Sequence, residues 1–105
     1  MNELKTCVLI PVYNHPYSIT AVVEQMRTLQ LPILLVDDGS DSRCAAVLDQ
    51  LSSQNCHLLR LPCNRGKGAA VRAGLEEAGR LGFTHALQID ADGQHAREDL
   101  PAFIQ

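Results

Sequence analysis

Short apolar runs alternate with longer segments of helical periodicity along the whole chain, and this alternation restricts the fold more than any other feature. The runs are continuous and rich in branched side chains, as in strands buried on both faces of a sheet. They predict strands over 7–10, 33–36, 57–61 and 85–89. Apolar residues at helical spacing predict helices over 19–29, 41–53 and 69–81, with a further helix starting at Asp99. Repeated strand–helix–strand units imply an α/β fold whose mainly parallel sheet has helices on both faces.

The third predicted helix carries specific expectations for its packing. Val71, Leu75 and Ala78 form its predicted inward face, and Glu76 and Arg80 are spaced for an i,i+4 ion pair on its outer face.

Size and charge exclude several classes of function. At 105 residues the chain is one domain or part of one, and 46% hydrophobic residues suffice for a core. A net charge of −3 argues against nonspecific nucleic-acid binding, which needs a basic surface. Five of the nine basic residues nevertheless fall in one stretch, which suits a small anionic ligand. They are Arg60, Arg65, Lys67, Arg72 and Arg80.

The four cysteines and the hydropathy pattern bear on location. No C-x-x-C pair is present, so zinc and thioredoxin chemistry are not indicated, and reduced buried thiols are expected, Cys7 and Cys44 among them. No stretch approaches ~20 apolar residues, so we expect no membrane span in these residues. The predicted location is cytoplasmic, at the cytoplasmic face of the membrane if a full-length protein associates with it.

Each predicted strand is followed by a segment rich in polar, acidic or glycine residues. In open parallel sheets, ligands bind beyond the carboxyl ends of the strands, so these segments should meet at one edge. They are Pro11-Val12-Tyr13-Asn14, Asp37-Asp38-Gly39-Ser40, Asn64-Arg65-Gly66-Lys67-Gly68 and Asp90-Ala91-Asp92-Gly93-Gln94.

The last of these segments predicts a metal site. Asp90 and Asp92 are hard oxygen ligands suited to Mg²⁺ or Mn²⁺, and Gln94 could add an amide oxygen or hold a water. A metal held there would retain open positions for phosphate oxygens. The alternative is a solvated acidic turn.

The middle segments predict contacts to a nucleotide. Asp37 or Asp38 could accept hydrogen bonds from a base or ribose, although the same residues also suit a turn and a helix cap. Gly66 and Lys67 open the third helix, where backbone amides and positive charge favour a phosphate. Tyr13 could stack on a base or simply cover the sheet edge.

Taken in order, these four segments resemble the inverting GT-A glycosyltransferases of family two, over nearly the whole chain. The Gly-Lys-Gly loop and Asp90-Ala91-Asp92-Gly93-Gln94-His95 are most similar to the polyprenyl-phosphate mannosyl- and glucosyltransferases. The resemblance implies a Rossmann-like GT-A fold, a nucleotide-diphosphate sugar as donor and an acceptor that could be lipid-linked.

The resemblance also implies roles for individual residues. Those around the nucleotide sugar would be Pro11, Tyr13, Asn14, Asp37, Asp38, Gly66, Lys67 and Asp90. Asp90, Asp92 and Gln94 would hold Mg²⁺ or Mn²⁺, and the metal together with Lys67 would stabilise the departing nucleoside diphosphate.

Members of this family have catalytic domains about twice as long as this chain. Residues 1–105 are therefore interpreted as the N-terminal, nucleotide-sugar-binding part of such a domain, ending before its C-terminal part, with the general base beyond Gln105. Two other classes use aspartates at strand ends: an aspartyl-phosphate phosphotransferase of the HAD type and a receiver-like signalling module. The oligomeric state, a homo-oligomer included, stays open.

Overall fold

A four-stranded, fully parallel sheet forms the centre of the protein. The computed structural model describes residues 4–53 and 55–92. The strands are β1 (Thr6–Val12), β2 (Ile33–Asp37), β3 (Cys56–Arg60) and β4 (His85–Gln88), in the order β3-β2-β1-β4. The helices are α1 (Ile19–Arg27), α2 (Ser42–Leu51) and α3 (Lys67–Arg80). The predicted α/β class is confirmed, while the helix expected from Asp99 lies outside the described residues.

The two faces of the sheet carry separate parts of the core. One face of β1, with Val8, Ile10 and Val12, packs in the cluster that contains the buried side chains of α1 and α2. The other face, with Cys7 and Leu9, packs with α3. This alternation of side chains along one central strand places helices on both faces, as the sequence predicts.

Strand β1 continues through Pro11 to Val12, two residues beyond its predicted end. The amide of Ile89 donates to the carbonyl of Leu9 at 3.0 Å, so residues 9 and 11 direct their backbone groups toward β4. The pairing of β1 with β4 ends at Leu9 and Gln88. Pro11 therefore removes no donor that this pairing needs, which explains why proline is tolerated in a central strand.

Helix α3 packs through its smallest side chains, and the predicted inward face is only partly right. Ala70, Gly74 and Ala78 are buried, whereas Leu75 is 52% exposed. A Cβ at Gly74 would lie 2.7 Å from Cδ1 of Leu9, so glycine is what lets the helix approach the sheet this closely. A hydrophobicity pattern misses this because it gives glycine no weight as a packing residue.

The predicted ion pair on α3 is also wrong in its partner. Arg80 contacts Glu77 at 2.8 Å, with Glu76 exposed beside it, and Glu77 additionally contacts Nε2 of His57 on β3. The hydrogen bonds of Glu77 with Arg80, which has the larger effect, and with His57 hold the pKa of the Glu77 carboxyl below its usual value. The cluster ties the outer side of α3 to the edge strand.

The cysteines agree with the sequence prediction of buried thiols. Cys7 and Cys44 lie in the core as free thiols, as does Cys56, while Cys63 is exposed. Burial raises the pKa of the Cys7 and Cys56 thiols, so both are held in the protonated form. Among the helices in residues 4–53 and 55–92, none combines the length and hydropathy required to cross a bilayer.

Candidate functional site

The carboxyl ends of the strands surround a cleft with a volume of ≈ 390 Å³. All four of the segments singled out in the sequence contribute to its walls, as a parallel sheet with this strand order requires. The described residues that line it are Pro11, Val12, Tyr13, His15, Asp38, Asn64, Gly66, Lys67, Ala70, Asp90, Ala91 and Asp92. Seven of the predicted site residues are in this set, and Asn14 and Asp37 are not.

Asp38 lies at the base of the cleft and is 2% exposed. Its carboxylate accepts hydrogen bonds from the amide of Arg65 at 2.9 Å, the amide of Gly66 at 3.0 Å and Nδ2 of Asn64 at 3.1 Å. Nδ2 of Asn64 also donates to the backbone carbonyl of Asp38 at 3.2 Å. The end of β2 and the loop that precedes α3 are thus joined by a buried, fully engaged charge.

Gly39 lets the same two segments touch backbone to backbone. It has a φ of +72°, and a Cβ there would lie 2.3 Å from the amide nitrogen of Asn64 and 2.4 Å from the carbonyl carbon of Cys63. Both the backbone conformation and the space exclude a larger residue. The Asp-Gly sequence therefore serves the packing of two loops as well as a turn.

Asp37 is buried behind the cleft, in a structural arrangement. Its Oδ2 accepts from Nε of Arg60 at 2.8 Å and its Oδ1 accepts from the amide of Ser40 at 2.8 Å. Arg60 also contacts Asp49 at 3.1 Å and donates to the carbonyl of Ala45. The Asp37 carboxylate raises the pKa of the Arg60 guanidinium. Both carboxylate oxygens of Asp37 are thus engaged in holding the turn after β2.

Asn14 joins the loop after β1 to that turn. Its backbone amide donates to Oγ of Ser40 at 3.0 Å, and its side-chain Oδ1 accepts from the backbone amide of Asp41 at 2.8 Å. Its φ of 56° is in the left-handed region, which asparagine tolerates better than most residues. Asn14 therefore fixes the path of the chain next to Tyr13, whose side chain is 47% exposed at the cleft.

A cation and a carboxylate face each other across the cleft. Nζ of Lys67, the first residue of α3, lies 2.5 Å from Oδ1 of Asp90, which follows β4. Both side chains are more than half exposed, so the pair is open to solvent. The first amides of a helix have no partner within it, and they start here at Lys67. Positive charge and amide donors therefore meet one acidic loop at this point.

The acidic loop is held in place from α1. Oγ of Ser18 donates to the carbonyl of Ala91 at 2.9 Å, and Ala91 is buried between the two aspartates. Asp90 and Asp92 are both exposed and both line the cleft. Gln94, the third predicted metal ligand, lies outside the described residues.

The donor chemistry of this loop fits a hard divalent cation. Carboxylate oxygens are the ligands that Mg²⁺ and Mn²⁺ prefer, and two carboxylates side by side favour a bound positive charge. Within the described part of the chain, no group of three or more His, Cys, Asp or Glu side chains is placed to hold a metal. Asp90 and Asp92 would therefore need further oxygen ligands from water or from a bound phosphate.

Some residues of the cleft were not predicted as site residues, although Val12 and Asn64 belong to segments that were expected at this edge. Asn64, Val12 and Ala70 line it, as does His15, which spacing alone would assign to a structural or solvated role. Arg60, which holds Asp37, was also missed. The position of His15 directly after Tyr13 and Asn14 was the available signal, whereas the contact of Arg60 depends on strand order.

Comparison with known proteins agrees with this geometry. The family model described as glycosyl transferase family 2 matches residues 7–105. The chain belongs to glycosyl transferase family 2. The resemblance drawn from the four strand-end segments is thereby confirmed, and the match does not favour a phosphotransferase or a receiver module.

Three curated relatives indicate which members of family 2 this chain resembles. The polyprenol monophosphomannose synthase of Mycolicibacterium smegmatis is 35% identical over 105 residues, covering 95% of this chain and 40% of the relative. The undecaprenyl-phosphate 4-deoxy-4-formamido-L-arabinose transferase of Pectobacterium atrosepticum is 34% identical, with coverages of 93% and 32%. The UDP-N-acetylglucosamine–dolichyl-phosphate N-acetylglucosaminyltransferase of Methanococcus voltae is 33% identical, with coverages of 92% and 45%.

This family-2 chain thus spans less than half the length of these curated relatives. All three are named for the transfer or attachment of a sugar to a polyprenol or a polyprenyl phosphate. The similarity to polyprenyl-phosphate sugar transferases predicted from the Gly-Lys-Gly loop and the acidic segment is confirmed.

Proposed function

We propose that the protein binds a nucleotide-diphosphate sugar in the cleft and forms the donor-binding part of an inverting glycosyltransferase. The observation that carries this proposal is the meeting of Lys67, Asp90 and Asp92 at the mouth of one cleft in a family-2 chain. A diphosphate needs positive charge on one side and a cation-binding group on the other, and these residues provide both.

The residues of the cleft divide between the two ends of such a donor. Pro11 and Tyr13 form an apolar and aromatic wall suited to a nucleoside, with Asp38 beneath them. Lys67 and the first amides of α3 suit the diphosphate. Asp90, Asp92 and Gln94 would hold Mg²⁺ or Mn²⁺, which when bound would supply positive charge to the departing nucleoside diphosphate.

The reaction that follows is a single displacement. An oxygen of the acceptor attacks the anomeric carbon of the sugar, and the bond from that carbon to the diphosphate breaks with its electron pair leaving on the diphosphate. In-line attack inverts the configuration at the anomeric carbon. Within this step Lys67 would stabilise the charge that develops on the leaving group, because its ammonium lies in the cleft at the start of α3.

We further propose a polyprenyl phosphate as the acceptor, since the three relatives are named for such lipids. Transfer to such a lipid belongs to glycolipid or cell-envelope polysaccharide synthesis, and we propose that it occurs at the cytoplasmic face of the membrane. The acceptor contacts and the general base would be supplied by residues outside the described part of the chain.

Thermal denaturation with UDP, GDP and dTDP, each with and without Mn²⁺, tests the donor assignment. We expect one nucleoside diphosphate to raise the melting temperature, and Mn²⁺ to increase that shift. An absence of any shift contradicts the proposal. Stabilisation by beryllofluoride and Mg²⁺ alone would instead support an aspartyl-phosphate protein.

A further inference from the structure

Asp38 connects the floor of the cleft with the loop that leads into α3. Three donors converge on its carboxylate, and two of them are consecutive backbone amides, those of Arg65 and Gly66. The carboxylate is 2% exposed. Hydrogen bonds to an ionised group are stronger than those between neutral groups. The hydrogen bonds from Asn64, Arg65 and Gly66 to the Asp38 carboxylate therefore help to determine the conformation of the loop.

Gly66 is the last residue of the loop that Asp38 holds, directly before α3. Gly66 adopts a φ of 98° and a ψ of 159°, and a Cβ there would meet nothing within 4 Å, so packing does not restrain this residue. Its backbone amide donates to Oδ2 of Asp38 at 3.0 Å. The next residue, Lys67, is the first of α3 and carries the ammonium that reaches Asp90.

We propose that Asp38 is a positioning residue for phosphate binding: by accepting hydrogen bonds from the Arg65 and Gly66 amides, it fixes the position of Lys67 and of the start of α3 in the cleft. This inference rests on the proposed function and deepens it. It assigns to Asp38 an effect on the diphosphate end of the donor, in addition to any contact with the nucleoside.

The variant Asp38→Asn separates the two effects. Asparagine keeps one acceptor oxygen but presents an NH₂ group where the carboxylate accepted from the loop, so at least one donor loses its partner. The loop should then shift, and the diphosphate should lose its contacts more than the nucleoside does. We expect the ratio of diphosphate affinity to nucleoside affinity to fall roughly tenfold.

Two further variants serve as comparisons. Asn64→Ala removes two hydrogen bonds of the same anchor without altering the carboxylate, and should lower the ratio in the same direction by a smaller factor. Asp37→Asn changes the neighbouring carboxylate, which is equally buried but holds Arg60 and Ser40 instead of the loop. It should lower the melting temperature and leave the ratio unchanged. If Asp38→Asn does not fold, Asn64→Ala carries the test.

Isothermal titration of each variant with uridine and UDP, and with guanosine and GDP, at one fixed Mg²⁺ concentration measures the ratio. Equal weakening of nucleoside and diphosphate in Asp38→Asn overturns the positioning role and leaves the proposed function standing. If the unmodified protein binds none of these ligands, the proposed function fails. Amide hydrogen exchange then tests separately whether Asp38 holds the loop. Loss of protection of the Arg65 and Gly66 amides in Asp38→Asn supports the positioning role, and retained protection overturns it.

Discussion

Nζ of Lys67 lies 2.5 Å from Oδ1 of Asp90, so the first residue of α3 and the second residue after β4 meet at the cleft. The two residues are 23 positions apart in sequence and come together because β4 and α3 both end or begin at the carboxyl edge of the sheet. Under the proposed function, this arrangement would give the diphosphate and the divalent cation one partner each.

The first prediction concerns the lysine of this pair. We expect Lys67→Ala to weaken binding of the nucleoside diphosphate about tenfold and to leave binding of the bare nucleoside nearly unchanged, because a charge-assisted contact to phosphate is lost. Calorimetric titration with both ligands measures the difference. Arg72→Ala is the matched control, since it removes an exposed positive charge from α3 outside the described lining of the cleft. Equal losses for the two ligands in Lys67→Ala would refute the phosphate role.

The second prediction concerns the acidic loop. Asp92→Ala should abolish the metal-dependent part of nucleotide binding and leave the fold intact, because Asp92 is exposed at the cleft and lies outside the core. Titration with the nucleoside diphosphate, with and without Mn²⁺, measures that part, and circular dichroism reports the fold.

Glu76→Ala controls for the loss of one exposed carboxylate elsewhere on the protein. It should retain the full metal dependence. A titration of Asp92→Ala that matches the unmodified protein would sink the metal assignment.

The sequence predicts most of the fold because apolar runs and helical spacing are local properties. Each strand was placed within two residues of its observed bounds, and the carboxyl-edge cleft follows from parallel topology. The features that the sequence did not predict depend on contacts between segments that are far apart along the chain. Leu75, predicted to face inward, is exposed, and Gly74 is buried, because close approach to Leu9 favours the absence of a side chain, which no periodicity records.

The candidate site shows the same division. The acidic, basic and glycine residues of the predicted site were visible at the strand ends, and five of them line the cleft, together with Pro11 and Tyr13. The separate functions of the adjacent Asp37 and Asp38 were not visible, because these depend on which loop each carboxylate faces. One binds Arg60 from β3, and the other binds the Arg65 and Gly66 amides. Strand order decides this, and a single sequence does not give strand order.

A third prediction uses two glycines on the same helix. Gly74→Ala should destabilise the protein by about 1–3 kcal/mol, because the new methyl group would overlap Leu9 and Val36 in a packed core. Gly79→Ala should stabilise it by roughly 0.5–1 kcal/mol, because a Cβ there meets nothing within 4 Å and alanine favours the helix. Urea denaturation measures both. Effects of the same sign at the two positions would contradict the close approach of α3 to the sheet.

The last prediction is a pH dependence at the edge of the sheet. Arg80 and His57 hold the pKa of Glu77 below its usual value, so the ionised carboxylate binds fewer protons in the folded state than in the unfolded state near pH 4. Its contribution to stability is therefore present above the unfolded pKa of about 4.3 and is lost as pH falls through the lower, folded pKa. Glu77→Gln should be less stable than the unmodified protein at pH 7, and the difference should shrink steadily below about pH 4.

Urea denaturation of both proteins from pH 7 to pH 3 measures this difference in stability, with Glu76→Gln as the control that lacks the contacts to Arg80 and His57. A difference that stays constant over this range would show that the ion pairs of Glu77 do not contribute to folding.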